Sequence, residues 1–339
     1  TTGRLRDQWH GMSRTGTLGR LFGHVREPVL HMHPQDMARR LIAENDLVHV
    51  TSKRGSILVP VQSSPEVGMS QVFMAMHWGE EFVSGMGANG TRLAGVNALT
   101  TSAYCPDSKQ PEFKHAAVKV LKADMPWTLV AIAWLPDDTV LAVRGKLQAL
   151  MERFAYASCV PFGNATADDH GRSGVLFRAA DMEAAPDALL QAIEALLQLD
   201  GADVVRYADK KRGQRRAVRL QRATVNATLE GFLLAGDTRA QSWMTTLLQD
   251  EQPAQNYGRA LLAPGTTPPL PVQSRGQTVC TCFNVTDNAI EATLSECTGF
   301  AADRLGTLQA TLKCGTNCGS CLPQLQRMVR ASMTPLTQP

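Results

Sequence analysis

The sequence predicts a multidomain chain. It has a β-rich front region at 1–122, an α+β middle region at 125–262, a linker at 263–277 and a small Cys-rich tail at 278–332. Length is the first ground: 339 residues exceed what one core usually serves, since a domain runs to roughly 100–200 residues. The second is the break between Ala263 and Gly276. There Pro264, Pro268, Pro269 and Pro271 fix φ and remove backbone donors, so neither a helix nor a central strand crosses it. The third is that six of the eight cysteines (Cys280, Cys282, Cys297, Cys314, Cys318 and Cys321) lie behind that break.

Within the front region, Val48–Ser52 and Ser56–Val61 read as a hairpin with Gly55 in its turn. Pro34 opens a short helix with Met37 and Leu41 on one face, which explains His33 before it as structural. Phe113 to Val120 ends in the alternation of a strand. In the middle region, Leu147, Leu150, Met151 and Phe154 keep helical spacing, as do Leu189, Leu190, Ile193, Leu196 and Leu197. Thr228 to Ala235 reads as a buried strand, and Asp237 as the cap of a helix facing inward through Trp243, Met244, Leu247 and Leu248. The basic run Lys210 to Arg216 reads as a solvated hairpin turning at Arg212-Gly213, and Asp137-Asp138 and Asp168-Asp169 as loop ends.

Composition excludes several classes. Hydrophobic residues at 44% against charged residues at 19% can fill a core, so the chain is not disordered as a whole. The net charge of 34 − 31 = +3 leaves no electrostatic footprint for nucleic acid or an acidic membrane surface. No apolar run reaches the ~18 residues of a membrane span. The chain opens on Thr1-Thr2-Gly3, with neither Met nor leader; a cytoplasmic protein, or a piece of a longer one, is expected.

Clustered cysteines in a leaderless chain point to a metal site in a reducing compartment rather than to a disulfide framework. Cys280-Thr-Cys282 and Cys318-Gly-Ser-Cys321 each set two thiolates on one tight loop. Four thiolates suit a [2Fe–2S] cluster or tetrahedral zinc, and C-x-C beside C-x-x-C is the less usual zinc arrangement. The small residues Gly315 to Ser320 let backbone N–H groups approach the sulfurs, and Leu322-Pro323 starts a helix whose N-terminal dipole favours an anionic centre. Thr286-Asp287 caps another helix.

On these residues the tail resembles the bacterioferritin-associated-ferredoxin-like [2Fe–2S] domain, whose pattern is C-x-C, roughly thirty-odd residues, then C-G-x-C. The resemblance implies a small all-α domain with Cys280, Cys282, Cys318 and Cys321 as ligands and leaves Cys297 and Cys314 outside the pattern.

The front carries an ordered series. Gly3-Arg4, Trp9-His10 and Ser13-Arg14-Thr15 come first, then Met32-His33-Pro34-Gln35-Asp36 and Asn45 to Gly55. Met76-His77-Trp78, Val96-Asn97-Ala98 and Asp107 to Lys114 follow. Its opening loop mixes Gly, Arg and hydroxyls suited to a phosphate-bearing ligand. In this order the pieces resemble the dinucleotide-binding domain of molybdopterin oxidoreductases of the nitrate reductase group.

That resemblance implies a double-psi-like β-barrel closing over a molybdenum bis-molybdopterin guanine dinucleotide cofactor. The implied contacts are Thr2, Arg4, Trp9, His10, Met12, Ser13, Arg14, Thr15, Asn97 and Lys114, with His77 and Trp78 near the substrate funnel. Residues 204–248 are similar to a small domain of assimilatory nitrite reductases and related flavoproteins, which implies docking between redox centres.

Both ends together imply a bacterial assimilatory nitrate reductase that turns nitrate into nitrite. A flavoprotein NAD(P)H-dependent reductase, a ferredoxin or a flavodoxin would feed the tail cluster, and a proline linker would act as a flexible tether. The molybdenum ligand and a [4Fe–4S] site are expected upstream of Thr1. Another bis-pterin enzyme such as a formate dehydrogenase, or a non-enzymatic four-cysteine iron–sulfur or zinc interaction module, are the alternatives.

Overall fold

A computed structural model describes residues 1–5, 17–112, 115–164, 171–222, 226–265 and 267–333. The front strands are β1 (Thr2–Gly3), β2 (Leu30–Met32), β3 (Leu47–Thr51), β4 (Ser56–Ser63), β5 (Val72–Ala75), β6 (Val83–Gly85) and β7 (Lys119–Lys122), with helix α1 (Pro34–Arg39) between β2 and β3. Six of them form a sheet of order β1-β5-β2-β4-β3-β7, parallel at β1/β5 and β2/β4 and otherwise antiparallel. Among the described residues this sheet keeps two edges, at β1 and β7, and no closed barrel is seen. Met32, Met37, Val48, Val50, Ile57, Val59 and Val61 fill its core.

The expected hairpin is β3/β4, with Val50 opposite Ile57. A Cβ on Gly55 in its turn would stand 2.7 Å from the Ala98 carbonyl, so a close backbone approach requires glycine there. His33 caps α1, its Nδ1 accepting from the Gln35 N–H at 3.2 Å. Leu41 departs from expectation. The helix ends at Arg39, and Leu41 turns left-handed (φ 55) and lies 84% exposed, because Ile42 and not Leu41 takes the place in the core.

The middle region adds β8 (Trp127–Leu135), α2 (Val140–Leu150), β9 (Tyr156–Gly163), β10 (Ser173–Asp181), α3 (Asp187–Leu196), β11 (Val204–Asp209), β12 (Gln214–Arg222), β13 (Ala227–Ala235) and α4 (Gln241–Gln249). Its sheet, β11-β12-β13-β8-β10-β9-β6, is antiparallel throughout. Alternate residues of these strands feed two cores. Ala131, Ala133, Val175 and Phe177 face Leu147 of α2 and Leu189, Leu190 and Ile193 of α3. Val130, Ile132, Trp134 and Phe232 face Trp243, Met244 and Leu247 of α4 on the other side.

The sheet takes its last strand, β6, from the front region, Val83 standing opposite Ser158, so the boundary near 122 is crossed by strand pairing. Asp237 does not cap α4, which starts four residues later without a side-chain cap. Its carboxylate instead accepts from Arg239 Nε at 3.0 Å and stands 3.5 Å from the buried Arg216 guanidinium. The basic run is therefore only half solvated: Gly213 makes the turn (φ 62), but Arg215 forks onto Glu194 at 2.6 Å and Arg216 is buried.

The tail holds a ribbon of β14 (Thr278–Cys280) and β15 (Val285–Thr286) and the helices α5 (Asp287–Glu296), α6 (Ala301–Leu312) and α7 (Leu322–Met333). The ribbon was not expected in an all-α tail. Thr286 caps α5 through the Ala289 N–H, as its sequence predicts. Ile290, Leu294, Leu308, Leu325 and Val329 pack at the centre around Cys280, Cys314 and Cys321. The linker is not the free tether its prolines suggested, since its second half is hydrogen-bonded to both neighbours. Among the described residues no helix is long and apolar enough to cross a membrane.

Candidate functional site

In the tail, the ribbon β14/β15 presents Cys280 and the turn after it presents Cys282, while the loop from α6 to α7 presents Cys318 and Cys321. All eight cysteines are free of disulfides. The four expected ligands meet two by two. Cys282 and Cys318 Sγ atoms are 3.4 Å apart, and Cys280 bonds to Cys321. Among the described residues no group of three or more His, Cys, Asp or Glu side chains is already arranged to hold a metal ion. Thiols paired across two loops fit a two-iron centre, which takes two thiolates on each iron.

The electrostatics favour thiolates at Cys280 and Cys318. The Cys280 thiol is pulled down to about 5 by its bond with Cys321, against burial, with help from the Gly315, Phe283 and Cys282 N–H groups. Burial alone would raise Cys318, but hydrogen bonding with the Ser320 hydroxyl, 3.3 Å away, and with its backbone brings it below its ordinary value. Cys282 is raised, chiefly by burial. Cys314 differs: burial pushes it up to about 11, and its thiol donates to the Leu308 carbonyl at 3.7 Å. It is a buried core thiol beside the site. Gly315 (φ 81) and Gly319 (φ 73) let the loop turn tightly enough to offer its N–H groups. Sequence reasoning foresaw that small-residue loop but not the Ser320 hydroxyl, whose place two residues after Cys318 was the available signal.

At the front, β1 runs parallel to β5, Gly3 opposite Ala75, and the Met76 N–H donates to the Gly3 carbonyl at 2.9 Å. Both strands therefore end on the same side, delivering Arg4 from one and His77-Trp78 from the other. Gly95 (φ 74) brings a third segment there: a Cβ on it would lie 2.6 Å from the Trp78 carbonyl. Asn97 follows in a single 3₁₀ turn at Val96–Ala98 and is exposed.

Thr2 is half-buried on β1, and its hydroxyl has no partner among the described residues. Arg4 is exposed, and His77 is half-buried with a left-handed backbone (φ 69). Trp78 is buried, packed edge-on against Phe82 at 5.5 Å and tilted against Phe22 at 6.1 Å, so its ring anchors the segment. Trp9, His10, Met12, Ser13, Arg14, Thr15 and Lys114 lie outside the described residues. Arg4, His77 and Asn97 thus belong to three segments that meet at one end of the sheet, polar and chemically suited to a large phosphate-bearing ligand.

Two family models match this chain: the molydopterin dinucleotide binding domain over residues 1–117 and the BFD-like [2Fe-2S] binding domain over residues 278–331. A nitrate reductase from Klebsiella oxytoca is 30% identical over 98% of the chain, which spans 34% of that protein. A nitrate reductase from Shewanella frigidimarina is 27% identical over 37% of the chain and 14% of its own length. Among solved structures, acetylene hydratase from Pelobacter acetylenicus aligns over 36% of this chain and 18% of its own. Its TM-score of 0.28 at 12% identity is too low to carry an argument. The chain therefore carries a molydopterin dinucleotide binding domain and a BFD-like [2Fe-2S] binding domain, and it spans about a third of the length of the Klebsiella oxytoca nitrate reductase to which it is similar.

Proposed function

We propose that this chain clasps the molybdenum bis-molybdopterin guanine dinucleotide of a nitrate reductase and relays electrons toward it, in a cytoplasmic enzyme of nitrate assimilation. The observation that carries the reading is the pairing, on one chain, of a molydopterin dinucleotide binding domain with a four-cysteine [2Fe–2S] domain. Nitrate, two electrons and two protons give nitrite and water. The molybdenum cofactor, when bound, supplies the oxygen-atom chemistry.

This chain's residues bind and orient. Thr2, Arg4 and Asn97, at the meeting end of β1 and the 96–98 turn, offer donors to the cofactor's phosphates and pterins, and Trp9, His10, Met12, Ser13, Arg14, Thr15 and Lys114 complete its lining. His77 faces the substrate funnel, and Trp78 fixes its backbone. The front sheet is on this reading one part of a double-psi-like barrel. Cys280, Cys282, Cys318 and Cys321 hold the entry cluster, fed by a flavoprotein NAD(P)H-dependent reductase, a ferredoxin or a flavodoxin. The molybdenum ligand and a [4Fe–4S] site belong to the rest of the enzyme.

The test is the complete enzyme, isolated from cells, assayed with redox dyes for nitrate reduction and formate oxidation, with its metals counted. Nitrate reduction with bound molybdenum and an iron–sulfur chromophore is expected. Formate oxidation without nitrate reduction would overturn the substrate, and a colourless, zinc-loaded protein would overturn the cluster.

A further inference from the structure

The linker's second half is held at nearly every residue. Tyr257 Oη donates to the Pro271 carbonyl at 3.4 Å, Gln252 Nε2 to the Gln273 carbonyl, and Asn288 Nδ2 to the Ser274 carbonyl at 2.9 Å. Val272 packs on the core beneath α4. Arg275 then joins the middle region to the tail. Its backbone N–H donates to Asp250 Oδ2 at 3.0 Å, immediately after α4, and its Nε stands 4.0 Å from Asp250 Oδ1. Its Nη2 donates to Asn284 twice, at 2.8 Å to the carbonyl and at 2.7 Å to the side-chain oxygen.

Asn284 is the left-handed residue (φ 51) that turns the chain two residues after Cys282. The front region reaches the same seam: Arg26 Nη1 donates to Gln249 Oε1 at 2.7 Å, and a Cβ on Gly23 would lie 3.6 Å from Thr278 Oγ1. A cleft of about 580 Å³ runs along the seam, between Asn164 and Glu251 on one wall and Gln273 to Arg275 on the other.

We propose that Arg275 is a positioning residue that latches the Cys282 loop to the end of α4, holding the [2Fe–2S] cluster at one fixed place relative to the cofactor-binding front. A free linker of this length would let the domain wander by roughly 20 Å or more, and electron transfer would wait for rare close approaches. Arg275 adds to the other linker bonds a direct tie to the Cys282 loop: its backbone N–H holds Asp250 while its guanidinium donates twice to Asn284 and stays within 4.0 Å of the Asp250 carboxylate. The inference rests on the reading that the four cysteines hold a cluster.

The test uses the complete enzyme with its metal centres. A nitroxide goes on the exposed Cys105 in a Cys297→Ser background, and pulsed EPR reads its distance to the reduced cluster. A narrow distance distribution is expected for the native latch. A clearly broader one is expected for Arg275→Ala at unchanged cluster absorbance, with Arg275→Lys in between because an ammonium cannot span both partners. Protease cleavage within 263–277 should rise roughly tenfold or more in Arg275→Ala, the cost of losing charge-assisted bonds. Unchanged width and unchanged cleavage in Arg275→Ala would overturn the latch. If the native protein shows no cluster signal, the iron–sulfur reading fails, and the cleavage rates still decide the latch on their own.

Discussion

At the scale of single residues, two cysteines four positions apart do opposite work. Cys318 accepts from the Cys282 thiol at 3.4 Å and has the Ser320 hydroxyl beside it, both of which favour a thiolate against the cost of desolvation. Cys314 is fully buried, bonded to the Leu308 carbonyl and pushed up to about 11 by burial, so it stays a protonated core atom. Cys318→Ala should abolish the visible absorption of the iron-loaded chain. Cys314→Ala should keep it and lose only roughly 1 kcal/mol of stability for the small void left behind. Absorption spectra and denaturant titrations of the two variants check this, and loss of colour in Cys314→Ala would make that thiol a ligand. The ligand spacing was legible because C-x-C and C-x-x-C are local. Arg275 was not, because its two partners, Asp250 and Asn284, come together only through folding.

At the scale of elements, the loop between α6 and α7 does what a helix or strand could not: it turns back on itself while aiming N–H groups at sulfur. Gly315 and Gly319 are both left-handed, and any other residue there costs about 1–2 kcal/mol. The two differ in surroundings. A Cβ on Gly315 would stand 2.7 Å from Leu322 Cδ2 and 3.2 Å from Leu325 Cδ1, whereas on Gly319 it would meet nothing nearer than 3.5 Å. Gly315→Ala should therefore push on the first turn of α7 and draw the Gly315 N–H away from Cys280, releasing iron to a chelator faster than Gly319→Ala does. Chelation kinetics of both variants measure it, and equal rates would remove the packing argument. Elements with a strong local period, such as the face Leu189, Leu190 and Ile193 of α3, were legible to within a residue or two. Those decided by competition for the core were not. Leu41 had the spacing to stay on α1 but was displaced by Ile42, and Asp237 had the cap chemistry but was drawn to Arg216 and Arg239.

At the scale of the whole molecule, composition suggested separate beads, and the packing welds the first two. Strand β6 pairs with β9 on one side, while a Cβ on its Gly85 would stand 3.0 Å from Leu58 of β4 on the other. Val83 packs with Leu58, Tyr156 and Ala180, and Val160 of β9 sits in the front core. The Cys159 N–H donates to the Phe82 carbonyl at 2.9 Å, Arg92 to the Phe154 carbonyl at 3.0 Å and Arg144 to the Glu81 carbonyl at 3.0 Å. Glu27, from the stretch leading into β2, takes two bonds from the guanidinium of Arg178 on β10. None of this shows in local pattern, because every contact joins residues far apart in sequence. A polypeptide of residues 125–262 alone would bare the edge of β9 and strand Arg178 without its carboxylate, and an open edge beside an apolar surface invites association. It should be aggregation-prone or loosely packed, binding a hydrophobic dye and unfolding without a sharp transition. Residues 1–262 should unfold cooperatively, and co-expression of 1–122 should rescue 125–262. A sharp transition of 125–262 alone, at the midpoint it shows within the longer chain, would mean that β6 and Glu27 are dispensable and that the front region merely leans on a finished domain.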